Sequence, residues 1–158
     1  MTKLYFPQEK DIIIGIVDSK LSGEYYKINI NAAQPAVISN LEFKNVVKRN
    51  KQVLQDGDAI YAKVLEVIPD PLLSCKETIG VIERGMILKV DCHFCTVFED
   101  YASLITTYTP FEYLIGVNGY IYINHELPET VVILYNLIKK GEYLTVKEFS
   151  TLVNNTLK

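Results

Sequence analysis

Cationic and aromatic side chains that could contact a polyanion are concentrated in the first half of the chain. Four basic residues fall within eight positions that contain no acid: Lys44, Lys48, Arg49 and Lys51. A second group combines two aromatic rings with an ammonium: Tyr25, Tyr26 and Lys27. Single-stranded nucleic acid is bound by cations that follow the phosphates and by rings on which bases stack. The two groups therefore predict phosphate contacts for the five basic residues and base stacking for either tyrosine.

A solvated loop whose lysines only maintain solubility would show the same run of basic residues from 44 to 51. The pattern alone leaves that alternative open. This segment could neutralise about four phosphates. On single strands, the logarithm of the binding constant would then fall with the logarithm of the salt concentration with a slope of about −0.7 times four. We therefore expect the isolated chain to bind RNA weakly.

The sequence Cys92-His93-Phe94-Cys95 could hold half of a tetrahedral zinc site or provide a reactive thiol. A full zinc site would have to recruit Cys75 together with His93 or His125, and the chain has no second CxxC. We expect these cysteines to be small buried hydrophobic residues at a helix start, with no metal and no cofactor bound.

Catalysis finds little support in the sequence. It contains no glycine-rich phosphate loop, no HExxH and no arrangement typical of a nucleophilic triad. A metal-dependent nuclease needs several converging carboxylates, and the acids of the second half are scattered apart from Glu99-Asp100. We expect no catalytic residues and no enzyme.

The composition is that of a soluble globular chain with one or two domains: 158 residues, 49% hydrophobic, 22% charged and a net charge of −3. The longest apolar run, 12–17, is far shorter than the ~20 residues of a membrane span, so no membrane partner is expected. Three cysteines without framework spacing favour a reducing compartment, the cytosol or the nucleus. The excess of acids lies in residues 73–158, with ten acids against seven basic residues.

The first half has the pattern of short strands separated by turns, which is typical of a small barrel. Strands are predicted at 12–17, 25–30, 36–38 and 59–68. An OB-type barrel of five strands is the best interpretation. Pro69-Asp70-Pro71 can sustain neither a ladder nor a helix, so we place the domain boundary there, giving domains at 7–69 and 72–158.

The second half predicts an α+β domain. A first hairpin would join 79–82 to 86–90 through Glu83-Arg84-Gly85, and a second would use Asn118-Gly119. Apolar residues from Phe94 to Tyr108 recur with helical spacing. Two further helices begin near Pro128 and at a capping box formed by Thr145 and Glu148.

Several short motifs, in order, resemble those of a known family. They are Tyr5-Phe6-Pro7 followed by Asp11, Ile14-Gly15-Ile16-Val17, Tyr26-Lys27-Ile28, Leu41-Glu42-Phe43 leading into Lys48-Arg49-Asn50, Gly57-Asp58 before Tyr61-Ala62, and the GxNG sequence Gly116-Val117-Asn118-Gly119. This series is similar to the S1/KH-type cap subunits of the eukaryotic RNA exosome. Two sister cap subunits share the architecture, and the Lys48-Arg49-Asn50 run favours one of them.

The resemblance implies an S1-type OB-fold barrel followed by a KH-like α+β domain. It also implies a non-catalytic subunit that stabilises the RNase-PH-like ring with other cap subunits and lines the path of single-stranded RNA during 3′–5′ processing and decay. Such subunits would be expected in the nucleus, including the nucleolus, and in the cytoplasm. The alternatives are the sister cap subunit and a free-standing S1/KH regulator, for example of translation.

Two features differ from the family pattern, the Cys92-His93-Phe94-Cys95 sequence and the short segment before the barrel. Members usually carry an N-terminal domain ahead of the barrel, whereas few residues precede Asp11, so we expect docking through what remains or in a reduced complex. A KH clamp lies between two helices, whereas Gly116, Asn118 and Gly119 are predicted between two strands. We therefore expect a structural hairpin with positive φ at both Asn118 and Gly119, as a type I′ turn requires.

Overall fold

The structure is a computed structural model that describes residues 4–21, 23–44 and 52–158. The chain forms two compact units. The first comprises Met1–Glu83 together with Gly116–Asn118, and the second comprises Arg84–Ile115 and Gly119–Lys158. The three residues 116–118 therefore belong to the first unit by their contacts.

The first unit is a closed five-stranded barrel. Its strands are β1 (Ile12–Lys20), β2 (Tyr25–Asn29), β3 (Ala36–Phe43), β4 (Ala59–Glu66) and β5 (Leu72–Cys75). They neighbour one another in the order β1-β2-β3-β5-β4, and pairing of β4 with β1 closes the barrel. A short strand, β6 (Gly80–Ile82), adds to β4. The predicted OB-type barrel is confirmed.

Alternation along the strands separates the barrel interior from its surface. On β2, Tyr26 and Ile28 are buried, whereas Tyr25 and Asn29 are exposed. On β1, Gly15 permits a close approach of strands, because a Cβ there would lie 2.4 Å from Cγ2 of Ile28. The barrel core is thus formed by alternate apolar residues, and the residues between them face solvent on the outside of the barrel.

The barrel continues past the predicted boundary. β5 begins directly after Pro71 and pairs with both β3 and β4, so the prolines lie in the connection between two antiparallel strands. The predicted hairpin around Gly85 is also wrong, because β6 pairs with β4 while β7 (Met86–Lys89) pairs with a strand of the second unit. Gly85 has a positive φ of 91°, which a glycine adopts without strain.

The second unit is an α+β domain. Its elements after β7 are α1 (Cys92–Thr106), β8 (Glu112–Ile115), β9 (Tyr120–Asn124), α2 (Pro128–Gly141) and α3 (Val146–Leu157). The antiparallel sheet has the order β7-β9-β8. One core joins sheet and helices, and its fully buried members include Phe98, Ile105, Ile121, Leu134 and Phe149. The three predicted helices and the β8–β9 hairpin are confirmed.

The helix starts follow their sequence signals. The Asp91 side chain accepts a hydrogen bond from the His93 N–H at 2.8 Å and caps α1. Thr145 and Glu148 form the predicted capping box of α3. Among the described residues, no helix is long and apolar enough to span a membrane.

Candidate nucleic-acid interface

The outer face of β2 brings Tyr25 and Lys27 together. They are two positions apart on one strand, so their side chains point to the same side. The Tyr25 side chain is 47% exposed, and that of Lys27 is 41% exposed. Across the ladder these residues pair with Ser39 and Val37 of β3. The structure thus places an exposed ring beside an ammonium on the barrel surface.

Tyr26 cannot stack on a base, which corrects the prediction for this residue. It is only 3% exposed, and its hydroxyl accepts a hydrogen bond from the Leu54 N–H at 3.2 Å. Period-two alternation places its ring inside the barrel because Tyr25 points outward. The Tyr26 hydroxyl instead fixes the chain that follows the basic segment.

The described residues on either side of 45–51, Lys44 and Gln52, are attached to β3. Lys44 is exposed and follows Phe43, the last residue of β3. On the return, the Gln52 N–H donates to the Asn40 carbonyl at 3.2 Å, and the Asn40 N–H donates to the Glu24 carbonyl at 2.8 Å. Three predicted cations, Lys48, Arg49 and Lys51, lie outside the described residues and stay predictions.

Lys27 has an acidic neighbour that the sequence did not reveal. Its Nζ lies 3.4 Å from Oδ2 of Asp18 on β1, and the Asp18 side chain is 54% exposed. Such surface ion pairs contribute about 0–1 kcal/mol, so a phosphate can compete for the ammonium. The pair therefore leaves the Lys27 ammonium open to a competing anion.

A different part of the barrel surface carries balanced charges. A cavity of about 280 Å³ there is lined by residues that include Glu42, Lys63, Lys76 and Glu77. Lys63 lies 2.7 Å from Glu77, and Lys76 lies 3.8 Å from Glu42. The hydrogen bond from Lys63 lowers the pKa of Glu77. Because each cation has an acidic partner, this surface is a weaker candidate for phosphate binding.

Asn118 of the GxNG sequence is fully buried and hydrogen bonded within the first unit. Its Nδ2 donates to the carbonyls of Ile14 at 2.8 Å and Ile30 at 2.9 Å. Its Oδ1 accepts from the Ile14 N–H at 3.2 Å, and its own carbonyl accepts from Nδ2 of Asn31 at 2.9 Å. No donor or acceptor of this amide is left exposed for RNA, since the residue is 0% exposed.

These contacts replace missing ladder bonds. The register that pairs Ile16 with Asn29 would place Ile14 opposite Asn31, but Asn31 has a φ of 62° and the chain leaves the ladder there. The Asn118 amide occupies the gap and satisfies both backbone groups of Ile14. An amide is required because only Asn or Gln offers a donor and an acceptor side by side.

The predicted type I′ turn is not formed. Gly119 has a positive φ of 97°, whereas Asn118 does not. A type I′ turn needs positive φ at both central residues. The expectation that these residues are structural stands on the hydrogen bonds of Asn118 rather than on that turn type.

The CxxC cysteines lack the features of a reactive pair. Burial raises the pKa of Cys95 to about 12, and burial with the nearby Asp91 carboxylate raises the pKa of Cys92. Nδ1 of His125 accepts from the Leu127 N–H at 3.0 Å, next to the start of α2. Within the described part of the chain, no group of three or more His, Cys, Asp or Glu residues could hold a metal ion.

Comparison with known proteins agrees with the barrel and its extent. The family model "Exosome complex component RRP40, S1 domain" matches residues 5–86, more than half of the chain. The Exosome complex component RRP40 of Drosophila melanogaster is 33% identical over 168 residues, covering 96% of this chain and 70% of the relative. This chain belongs to the RRP40 family. This agrees with the Lys48-Arg49-Asn50 run, which favours ribosomal RNA-processing protein 40 over its sister, ribosomal RNA-processing protein 4.

Two more matches show how much of a relative's length this chain covers and which solved structure shares its fold. Human Exosome complex component RRP40 is 29% identical over 160 residues, which cover 90% of this chain. The chain spans only 56% of that relative's length. A crystal structure of a protein described as an exosome complex RNA-binding protein has a TM-score of 0.79 at 21% identity, covering 98% of this chain and 97% of that chain. That structure supports the shared fold.

Proposed function

We propose that this chain is a non-catalytic cap subunit of the RNA exosome. In this role it stabilises the RNase-PH-like ring together with other cap subunits. It also lines part of the path by which single-stranded RNA enters for 3′–5′ processing and decay. Partner chains supply catalysis, and the complex works in the nucleus, the nucleolus and the cytoplasm. Support comes from the RRP40 relatives, which are named as exosome complex components.

The observation that carries the RNA contact is the exposed ring of Tyr25 beside Lys27 on the outer face of β2. Barrels of this type bind single strands along the same face. In this proposal a base stacks on Tyr25, and Lys27 and Lys44 contact phosphates. Lys48, Arg49 and Lys51 extend the phosphate contacts along the basic segment.

The second unit is proposed to contact protein. Residues 90–138 contain six acids and no lysine or arginine. Glu99 and Asp100 are exposed on α1, where they would repel phosphates. Because the Asn118 amide is occupied inside the first unit, the GxNG sequence adds no RNA grip. An acidic surface of this kind suits neighbouring subunits better than RNA.

Purification of the tagged chain from its own cells at moderate salt, followed by mass spectrometry, tests this function. Stoichiometric recovery of RNase-PH-like chains with a large exoribonuclease is the expected result. Recovery of the chain alone, or with ribosomes and assorted RNA, would overturn it. That outcome would support a free-standing RNA-binding regulator, which uses the same barrel without the ring.

A further inference from the structure

The barrel carries a second exposed ring, Phe6, which is 81% exposed. Its neighbour Tyr5 is only 7% exposed, and the Tyr5 N–H donates to the Asn31 carbonyl at 2.8 Å. The Tyr5 hydroxyl donates to Asp11, and its backbone forms a parallel bridge with Ala32. Phe6 is thus presented to solvent by an anchored segment.

One exposed ring is common on protein surfaces and carries no meaning alone. Here, the residue that bridges to Tyr5 also lines a cavity. Ala32 contributes to a cavity of about 250 Å³ whose other lining residues include Asp18, Lys27, Asn29 and Pro35. This volume is below the roughly 300 Å³ at which drug-sized pockets begin, so it limits the occupant to a small group such as one base.

The lining provides the chemistry that one nucleotide needs. Ala32 and Pro35 are small and apolar, as the surroundings of a base should be. Lys27 supplies an ammonium for a phosphate, and Asn29 supplies an amide. Asp18 faces the same cavity, but its carboxylate lies 3.4 Å from the Lys27 ammonium and is partly neutralised by it.

The cavity is also continuous with the face that contains Tyr25. Tyr25, Lys27 and Asn29 point to one side of β2 at intervals of about 7 Å, twice the rise per residue of a strand. An RNA strand that stacks on Tyr25 and continues along β2 therefore passes Lys27 and reaches the cavity.

We propose that Phe6 and this cavity form a second nucleotide subsite on the barrel. One base of a single-stranded RNA stacks on the Phe6 ring, a neighbouring base enters the cavity, and Lys27 contacts the phosphate there. The inference rests on the proposed function, because it extends the RNA path that begins at Tyr25.

The absence of tryptophan from the sequence makes a direct test possible. Phe6→Trp introduces a single indole whose fluorescence reports stacking. The probe is a ten-nucleotide single-stranded RNA of mixed sequence, titrated at low salt into the full chain. Tyr25→Trp reports on the first stacking position. Tyr143→Trp is the matched control, because Tyr143 is 83% exposed and belongs to the second unit.

The expected result is quenching of Phe6→Trp and Tyr25→Trp over the same RNA concentrations, with Tyr143→Trp unchanged. Phe6→Ala should then weaken binding at least about fivefold by fluorescence anisotropy of labelled RNA. Quenching of Tyr25→Trp without Phe6→Trp would overturn the subsite and leave the proposed function intact. No response at either position and no binding by anisotropy would overturn the subsite together with the proposed RNA contact at Tyr25. Equal quenching of Tyr143→Trp would show unspecific contact and also overturn the subsite.

Discussion

The outer face of β2 and the GxNG turn both resemble RNA-contacting elements by sequence. The polar side chains on that face of β2 are exposed to solvent, whereas the Asn118 amide of the GxNG turn is buried and hydrogen bonded. The Asn118 side chain is 0% exposed and is used in three hydrogen bonds to the backbone of Ile14 and Ile30. Tyr25 is 47% exposed, and the acidic partner of Lys27 is itself at the surface. Only the β2 face can exchange its contacts for those of a ligand.

This difference shows that a motif residue is available for binding only if its polar atoms are not already engaged. Asn118 replaces a stretch of missing ladder, so its identity is explained by the fold. A ligand would have to break those bonds and leave buried backbone groups unpaired, which is unfavourable by about 1–3 kcal/mol per group. For Lys27, a phosphate only has to replace a surface carboxylate.

The largest expected effect comes from removing the Asn118 amide. Asn118→Ala leaves the N–H and the carbonyl of Ile14 and the carbonyl of Ile30 without this partner. We expect a loss of about 3 kcal/mol or more in the free energy of unfolding and a melting temperature lower by roughly 6–12 °C. Thermal and urea denaturation followed by circular dichroism measure the change.

Asn136→Ala is the matched control for that substitution, because Asn136 is exposed on α2. Its effect should stay within about 0.5 kcal/mol. If Asn118→Ala were as stable as Asn136→Ala, the ladder-replacing role of Asn118 would be refuted.

The sequence predicted the barrel because alternation on β2 and β4 is strong. It missed β5, since a four-residue strand that follows two prolines has little pattern of its own. The structure shows that pairing resumes at once, as the Pro71 carbonyl accepts from the Val37 N–H at 2.9 Å. The predicted hairpin around Gly85 failed because a tight turn does not specify which strands become partners.

The candidate site was predicted in part. Adjacent tyrosines on a strand point to opposite faces, and a shift of one residue in register would exchange them, so sequence alone could not choose between Tyr25 and Tyr26. The role of Asn118 could not be predicted either, because its partners Ile14 and Ile30 are distant in the chain. Phe6 was visible only as part of a family motif, since its bridge to the barrel depends on tertiary structure.

An intermediate effect is expected within the tyrosine pair itself. Tyr26→Phe removes the acceptor of the Leu54 N–H, and Leu54 is only 6% exposed. We expect this variant to lose about 1 kcal/mol of stability, whereas Tyr25→Phe should lose none. Denaturation curves of the two variants, measured side by side, test whether Tyr26 points into the barrel and Tyr25 points to solvent. Equal stability of both would contradict the role of the Tyr26 hydroxyl in attaching the basic segment.

The smallest expected effect has the opposite sign from most substitutions at a binding surface. Asp18→Asn removes the carboxylate that competes with phosphate for Lys27, so RNA binding should tighten by about twofold to fivefold, the range of a surface ion pair. Glu66→Gln, at the exposed end of β4, makes the same change in net charge and controls for it. Weaker binding by Asp18→Asn would mean that the carboxylate itself contacts RNA or orients Lys27. If both variants bound RNA more tightly by the same factor, the change in net charge would explain the effect. The proposed contact between Lys27 and a phosphate would then be refuted.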